Sequence, residues 1–335
     1  MLHYNPASGS SLLLACFSTA FVTALDGSRY FIEWASIGVM KHPFLSLCIA
    51  LFAPLVAATC CAKPVVLSSI KPLTLIAQEI TGAVAEVDTL IPATASHHNY
   101  PLKMSDHVRL QNADVILWVG PELESFMQRP VAKLPRANII TAYDLVGINW
   151  PVEADELDEA DAHHHEHDPH LWLDPGNAIL VAQALTATLA QIDAANATQY
   201  RANLARFVIK VTQLDQKLQI ALKPLAGVGF AVYHEGFGHF VSRYGLHQLA
   251  YITLTPEQRP GAKHMHQLRK KLAKEGKCLF LEPYNDMKSA RELAQELHLN
   301  LGTLDALGTQ GAASYLQLLE QMAGAFSACL ANRRN

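Results

Sequence analysis

Residues Ala197–Leu222 read ATQYRANLARFVIKVTQLDQKLQIAL and predict one long helix that ends just before Pro224. At ~1.5 Å per residue, this helix is about 39 Å long. A rod of that length can run past one lobe of a protein and brace a second lobe. The stretch therefore predicts two lobes connected by a rigid helix.

Segments on both sides of the long helix alternate between apolar strands and helices. Before it, the predicted strands are Pro64–Ile70, Val84–Ile91, Asp114–Gly120 and Ile139–Ile140, and the predicted helices are Leu73–Ile80, His107–Asn112 and Ala178–Ile192. After it, the predicted strands are Phe230–Tyr233, Gln248–Thr253 and Cys278–Leu281, and the predicted helices are Met265–Lys274, Ser289–Leu297 and Ala312–Leu330. Such alternation is typical of α/β lobes with mostly parallel sheets. We expect an N-terminal lobe over 63–196, the linking helix over 197–222 and a C-terminal lobe over 223–335.

The composition narrows the function classes. The chain has 335 residues, 50% hydrophobic and 17% charged, which is enough for two ordinary domains with ample cores. Its net charge of -4 gives no electrostatic case for binding nucleic acid. The 16 histidines stand out, because histidine is usually scarce and is a frequent metal ligand.

The N-terminal region predicts export. Residues 40–62 have the pattern of a secretory signal peptide: a short basic start, an apolar run from Phe44 to Ala58, and small residues up to Ala62, after which we expect cleavage. The apolar run is short for a permanent membrane span. Residues 1–39 are then either a misassigned extension or part of an unusually long leader.

The six cysteines divide by position. Cys60 and Cys61 would allow a lipoprotein anchor, but Thr59 or Cys60 would then precede the lipidated cysteine, where Gly or Ala is usual. We therefore rank release into the periplasm above anchoring. Cys278 and Cys329 lie in the predicted folded body, where two thiols of an exported protein suggest one disulfide; two unrelated buried thiols are the alternative.

An acidic, histidine-rich loop is predicted over 153–169. This segment lacks apolar periodicity and is dense in Asp, Glu and His, which predicts a mobile loop. We expect its histidines to form an auxiliary, weak zinc site, with a merely solvated linker as the alternative. These histidines are His163, His164, His165 and His167.

Three further histidine positions lie beside predicted strand ends or loops: His97-His98, His170 and His234. Ligands of α/β lobes collect at the carboxyl ends of strands. Three imidazoles with one further oxygen ligand suit tetrahedral Zn²⁺. Each position alone is a weak signal, because an isolated loop histidine is more often a solvated surface residue.

An enzyme alternative rests on residues 234–239, HEGFGH, which superficially resemble HExxH. The second histidine comes one residue too late to share a helix face with the first, and the two glycines weaken a helix. Glu235 would be the nearby base of a secreted zinc-dependent hydrolase. No GxSxG motif supports a hydrolase nucleophile. The sequence therefore argues against a zinc protease.

Ordered motifs over about 64–330 resemble the zinc-binding proteins of bacterial ABC importers. They are SIKPL at 69–73, HHNY at 97–100, MSD at 104–106, NADVILWVGPELE at 112–124, HLWLDP at 170–175, HEGF at 234–237, PE at 256–257, PGAK at 260–263, EP at 282–283 and GTLDALG at 302–308. The resemblance implies two α/β lobes joined by a long rigid helix, with the metal between them. It implies a periplasmic protein that captures Zn²⁺ for a membrane permease and is not an enzyme. It also implies pairing of Cys278 with Cys329, as in some members.

By the same resemblance, His98, His170 and His234 match the three metal-binding histidines of the family. The fourth donor stays open between His97, water and Asp305. His97 stands where some members have Glu, and Asp305 matches an acidic ligand of related metal binders. A loop-capping carboxylate is the alternative role for Asp305.

The remaining expectations concern assembly and the other histidines. We expect a monomer whose partners are zinc and the permease, and no nucleic acid. A zinc-binding surface adhesin is a further alternative, which a retained lipid anchor would favour. Surface or packing roles are expected for His239, His247, His264, His266 and His298.

Overall fold

The computed structural model describes residues 62–135, 138–151, 167–283 and 287–331. Most of the predicted signal peptide and the whole of the 1–39 segment lie outside these residues. So do His163, His164 and His165 of the predicted acidic loop. In the part of the chain that is described, no helix has both the length and the apolar character needed to cross a bilayer.

The first sheet has four parallel strands in the order β2-β1-β3-β4. The strands are β1 (Val65–Ser68), β2 (Glu86–Thr89), β3 (Val115–Trp118) and β4 (Ile139–Thr141). The two central strands are apolar and buried, while β2 at the edge alternates exposed and half-buried residues. This edge strand is shorter than the predicted Val84–Ile91, although the Leu90 and Ile91 backbone N–H groups still donate to the Ser68 and Ser69 carbonyls beyond its end.

The second sheet is also parallel, and its strand order, β6-β5-β7-β8, has the same topology as that of the first sheet. Its strands are β5 (Gly229–His234), β6 (His247–Thr253), β7 (Gly276–Leu281) and β8 (Asn300–Thr303). Our sequence analysis did not predict β8, whose sequence NLGT has no apolar run. The strand is instead defined by its backbone pairing with β7.

Nine α-helices surround the sheets in the described residues. They are α1 (Lys71–Thr81), α2 (Met104–Asn112), α3 (Gln128–Ala132), α4 (Pro175–Ile192), α5 (Ala197–Leu222), α6 (Gly238–Tyr244), α7 (Ala262–Glu275), α8 (Lys288–Glu296) and α9 (Tyr315–Leu330). Helix α4 begins earlier than the predicted Ala178. The Asp174 carboxylate caps it by accepting from the backbone N–H groups of Gly176 and Asn177, and Pro175 suits the first helical position.

The long helix is confirmed as α5, with 26 residues and the bounds that the sequence predicts. It packs against α1 and α4 from the first half of the chain and against α6 and α9 from the second half. Its buried Asp215 forms an ion pair with Arg243 of α6, with the arginine Nε 3.0 Å from Asp215 Oδ1. The helix therefore contacts the elements around both sheets.

Alternate residues of the second sheet face two different cores. Phe230 and Phe280 join a large apolar cluster that also contains Val66 and Leu117 of the first sheet. Leu279 faces the opposite side and packs in a smaller cluster beneath α7 and α8. The two sheets therefore share one continuous core.

A disulfide joins Cys278 of β7 to Cys329 of α9, with the Cα atoms 6.2 Å apart. The bond closes a loop with a sequence separation of 51 residues. In the chain-entropy model, closing a loop of this size stabilises the folded state by about 4 kcal/mol, and often less in practice. The last helix is thus attached covalently to the second sheet, as the sequence analysis predicts.

Candidate metal centre

Four histidines converge in the structure: His97, His98, His170 and His234. Each offers one ring nitrogen, and these nitrogens all lie within 4.8 Å of one another. His170 Nε2 is 3.4 Å from His97 Nε2 and 3.4 Å from His234 Nε2. Nitrogens bound tetrahedrally to zinc at 2.0–2.1 Å are about 3.3–3.4 Å apart, so these spacings fit one zinc ion.

The fold explains why residues so distant in sequence meet. His97 and His98 lie in the loop after β2, and His234 is the last residue of β5. His170 immediately precedes a short 3-10 turn, Leu171–Leu173. Loops at the carboxyl ends of parallel strands are the usual ligand-binding positions of α/β sheets. Both sheets therefore contribute to one site.

Two buried carboxylates orient two of the rings. Asp168 Oδ1 lies 2.7 Å from His170 Nδ1 and also accepts from the His170 backbone N–H at 2.9 Å. Glu282 Oε1 is hydrogen-bonded to His234 Nδ1. An ionised carboxylate only accepts, so Nδ1 donates in both neutral rings and Nε2 is left free to ligate.

The sequence analysis missed both carboxylates as site residues. Glu282 follows β7 directly, and β7 is the neighbour of the strand that ends in His234. Asp168 precedes His170 by only two residues. A search for acidic residues beside strand ends could have found Glu282, but only if the order of the strands had been known.

The rings are largely removed from water. His97, His170 and His234 are at most 1% exposed, and His98 is half-buried. Burial lowers the pKa of His97 well below its ordinary value, with the charges of His170 and His234 adding to the effect. Burial also lowers the pKa of His170, and Asp168 only partly offsets it. Neutral imidazole is the form that binds metal.

His234 differs from the other two buried rings. Burial acts to lower its pKa, but the charge of Glu282 and the hydrogen bond to it outweigh burial and raise the pKa. The carboxylate therefore orients the ring through Nδ1, and it also makes the ring hold a second proton, on Nε2, more tightly. Metal must displace the Nε2 proton when it binds.

Because Gly236 has no side chain, the His234 and His170 rings can lie close to its backbone. A Cβ atom added at this position would lie 2.2 Å from His234 Nε2 and 3.0 Å from His170 Cε1. Contacts that close essentially never occur between real atoms. The glycine in HEGF is therefore required by the closeness of the backbone to the ring nitrogens.

Sequence comparison matches residues 66–329 to the family profile of ZnuA, the periplasmic component A of a zinc-uptake complex. This chain belongs to the ZnuA family. It is 32% identical over 292 residues to the high-affinity zinc uptake system protein ZnuA of Yersinia pestis, covering 80% of this chain and 92% of that protein. It is 31% identical to the ZnuA of Haemophilus ducreyi, covering 82% and 96%.

Solved ZnuA structures share the fold. A crystal structure of ZnuA superposes with a TM-score of 0.69 at 27% identity, covering 80% of this chain and all of that chain. A ZnuA deletion mutant with zinc bound superposes with a TM-score of 0.70 at 26% identity, covering 81% of this chain. The family resemblance and the two-lobed α/β fold predicted from the sequence are both confirmed.

The structure places the two candidate fourth donors differently. His97 contributes one of the four ring nitrogens that lie within 4.8 Å of one another. Asp305 is not in that group. Its Oδ2 atom accepts from the Thr309 hydroxyl at 3.0 Å and from the Gln310 backbone N–H at 2.7 Å, which is the arrangement of a loop cap.

The HEGFGH segment does not form a zinc-protease helix. His234 ends a strand, whereas His239 lies in α6 and is outside the group of four rings. Between them, Glu235 accepts a hydrogen bond from Gln248 Nε2 at 2.8 Å. Burial and the charge of Asp168 raise the pKa of Glu235 to about 7.

Proposed function

We propose that this chain is the zinc-binding component of a bacterial ABC importer, which captures Zn²⁺ and delivers it to a membrane permease. The observation that carries the proposal is the group of four histidine nitrogens within 4.8 Å of one another, with His170 Nε2 3.4 Å from both His97 Nε2 and His234 Nε2. Family membership supports the same function, because the relatives named above are zinc uptake proteins.

In this proposal His97, His98, His170 and His234 are the four zinc ligands. His97 is supported as the fourth donor because its ring nitrogen lies within 4.8 Å of the other three, whereas Asp305 is outside that group and uses its Oδ2 atom within its own loop. Four protein donors complete a tetrahedral shell. A zinc hydrolase instead keeps one position open for water, so the arrangement argues against hydrolysis, and membership in a family of zinc uptake proteins supports transport over adhesion.

The cellular setting follows from the same function. We propose export through the 40–62 signal peptide, release into the periplasm, and a monomer that exchanges zinc with the permease and binds no nucleic acid. Fractionation, the mass of the mature chain and light scattering check these points. A lipid on Cys60 or Cys61 in the mature protein would contradict release.

A chelator-competition titration tests the ligand assignment. The purified protein should bind one zinc tightly, and replacing any of the four histidines by alanine should weaken that binding strongly, because an incomplete shell must recruit water. His264→Ala is the matched control, since His264 contacts the Tyr251 backbone carbonyl in a different part of the second sheet. If H97A leaves the affinity unchanged while Asp305→Ala lowers it, the fourth ligand is Asp305 instead.

A further inference from the structure

His239 has an environment that the proposed zinc ligation does not explain. It is 1% exposed, lies in α6 and does not belong to the group of four rings. Its Nε2 atom is 2.9 Å from the backbone oxygen of Asp168, and its Nδ1 atom is 3.2 Å from Asn177 Nδ2. Both ring nitrogens are therefore engaged, and one of them contacts the residue that orients His170.

The amide of Asn177 has a defined orientation. Its Oδ1 atom accepts from the Asn149 backbone N–H at 2.7 Å, and its Nδ2 atom donates to the Asn149 carbonyl at 3.2 Å. If the amide were flipped, its NH₂ group would face the Asn149 N–H and its oxygen would face the Asn149 carbonyl. The Asn149 backbone therefore fixes which side-chain atom is the oxygen and which is the nitrogen. The Asn177 Nδ2 atom therefore donates to His239 Nδ1.

This orientation determines the tautomer of His239. Because Nδ1 accepts, the ring proton must lie on Nε2, which then donates to the Asp168 carbonyl. The Asp168 carboxylate in turn accepts from His170 Nδ1 at 2.7 Å. A continuous series of hydrogen bonds thus runs from Asn149 through Asn177, His239 and Asp168 to His170.

The backbone of α6 is packed tightly against the same carboxylate. A Cβ atom at Gly238 would lie 2.8 Å from Asp168 Oδ2, so this carboxylate has little room to move. Asn149 precedes the acidic 153–169 segment, and Asp168 lies near its C-terminal end. The hydrogen bonds of Asn177 and His239 therefore connect residues near both ends of that segment to the metal centre.

We propose that His239 is a positioning residue for the metal centre: its imidazole anchors Asp168, and Asp168 orients His170 toward the metal. The proposal rests on the proposed function, since it takes His170 as a zinc ligand. His239 itself touches no metal.

Three variants test this role through zinc affinity and through the visible absorption of bound Co²⁺, which reports ligand geometry. His239→Phe keeps an aromatic ring but removes both hydrogen bonds. It should weaken zinc binding by up to about 10–100-fold, the range for losing the direct partner of a ligating histidine, which here is Asp168, and it should change the Co²⁺ spectrum. His239→Gln can donate and accept through one terminal amide, so it should restore most of the affinity and the spectrum.

His264→Phe is the matched control, because His264 also contacts a backbone carbonyl, that of Tyr251, at 2.8 Å. It should change neither measurement. Unchanged zinc affinity and an unchanged Co²⁺ spectrum in H239F would overturn the proposal. An equal loss in H239F and H239Q, with both proteins folded by circular dichroism, would also overturn it, because the hydrogen bonds would then be irrelevant.

A measurement on the unmodified, metal-free protein covers the case in which H239F does not fold. Nitrogen-15 NMR of the histidine side chains should show the proton of His239 on Nε2 and that of His170 on Nδ1. A proton on Nδ1 of His239 would contradict the series of hydrogen bonds. The NMR result is independent of zinc, so failure of the unmodified protein to bind zinc would refute the proposed function and leave the hydrogen-bond series to be judged by NMR.

Discussion

Gly236 follows His234 by two residues, and the absence of its side chain makes room for the ring nitrogens. We predict that Gly236→Ala weakens zinc binding at least as much as losing an outer partner of a ligand, about 10–100-fold, because the new methyl group displaces the His234 ring. The backbone at Gly236 is outside the left-handed region, so alanine adds a steric effect and no backbone strain. A chelator-competition titration measures the effect.

Gly324→Ala is the control for this substitution. Gly324 is an exposed residue of α9 with open space where a Cβ would lie. Alanine there should leave zinc binding unchanged and stabilise the helix by up to about 1 kcal/mol. Equal zinc affinities of G236A and the unmodified protein would show that Gly236 does not shape the site.

The pKa of His234 leads to a second prediction at the residue scale, on pH. Glu282 raises this pKa, whereas the pKa values of His97 and His170 are lowered, so His234 gains a proton before His97 and His170 do as the pH falls. Zinc affinity should therefore decrease on acidification, beginning at the raised pKa of His234 and by about tenfold per pH unit for one displaced proton.

Glu282→Gln tests the cause of that pH dependence. Without the carboxylate the pKa of His234 falls, so the acid-induced loss of affinity should begin at a lower pH. The affinity at neutral pH should also fall, because the ring loses its orienting partner. Titrations over a pH series measure both effects, and an onset at the same pH in both proteins would argue against a role for Glu282.

At the scale of elements, the segment that carries His170 is attached to the second half of the chain. Trp172 Nε1 donates to the Ala306 carbonyl at 2.9 Å, and the Tyr315 hydroxyl donates to the Trp172 carbonyl at 2.8 Å. Both Trp172 and Tyr315 are fully buried. The segment that carries His170 is therefore held by packing and hydrogen bonds that do not involve residues 154–166.

We predict that deleting residues 154–166 leaves the fold and the tight zinc site intact. Described residues on either side of the deleted segment are already close, since the Trp150 and His167 rings stack with their centroids 4.7 Å apart. The weak, additional zinc equivalents should disappear, because a flexible loop loses chain entropy when it closes around an ion and so binds less tightly than folded lobes. Calorimetric titration separates the two classes of site. Loss of the tight phase in a folded deletion protein would mean that the loop supplies a principal ligand.

At the scale of the whole molecule, zinc should stabilise the folded state. The ring nitrogens come from both sheets and converge only in the folded protein, so the unfolded chain lacks the site. At zinc concentrations about 1,000 times the Kd, linkage adds about 4 kcal/mol, which corresponds to about 8–16 °C in Tm for a domain of this size. Thermal melts with and without zinc measure the shift.

The double variant H170A/H234A is the control for that prediction. It lacks half of the proposed ligands, so zinc should change its Tm much less than that of the unmodified protein. The same zinc-induced shift in both proteins would place the stabilising ion elsewhere in the molecule.

Several features of this protein are contained in local sequence. The pattern of residues over Ala197–Leu222 was sufficient to predict the long helix, because helical periodicity is set by residues close together in sequence. Apolar runs such as Val115–Trp118 were sufficient for the central strands. Short elements with weak patterns were not predicted: α6 begins at a glycine, and β8 is defined by its pairing with β7.

The same division holds for the site. Local motifs identify His98, His170 and His234 as candidate ligands, and they leave the fourth position open between His97, water and Asp305. The contact between His234 and Glu282 spans 48 residues, and no local pattern encodes it. Strand order brings Glu282 beside His234, the backbone at Gly236 leaves room for the rings, and His239 approaches Asp168 from α6. These relations depend on how distant segments pack together, so only the folded chain brings their atoms within hydrogen-bonding distance.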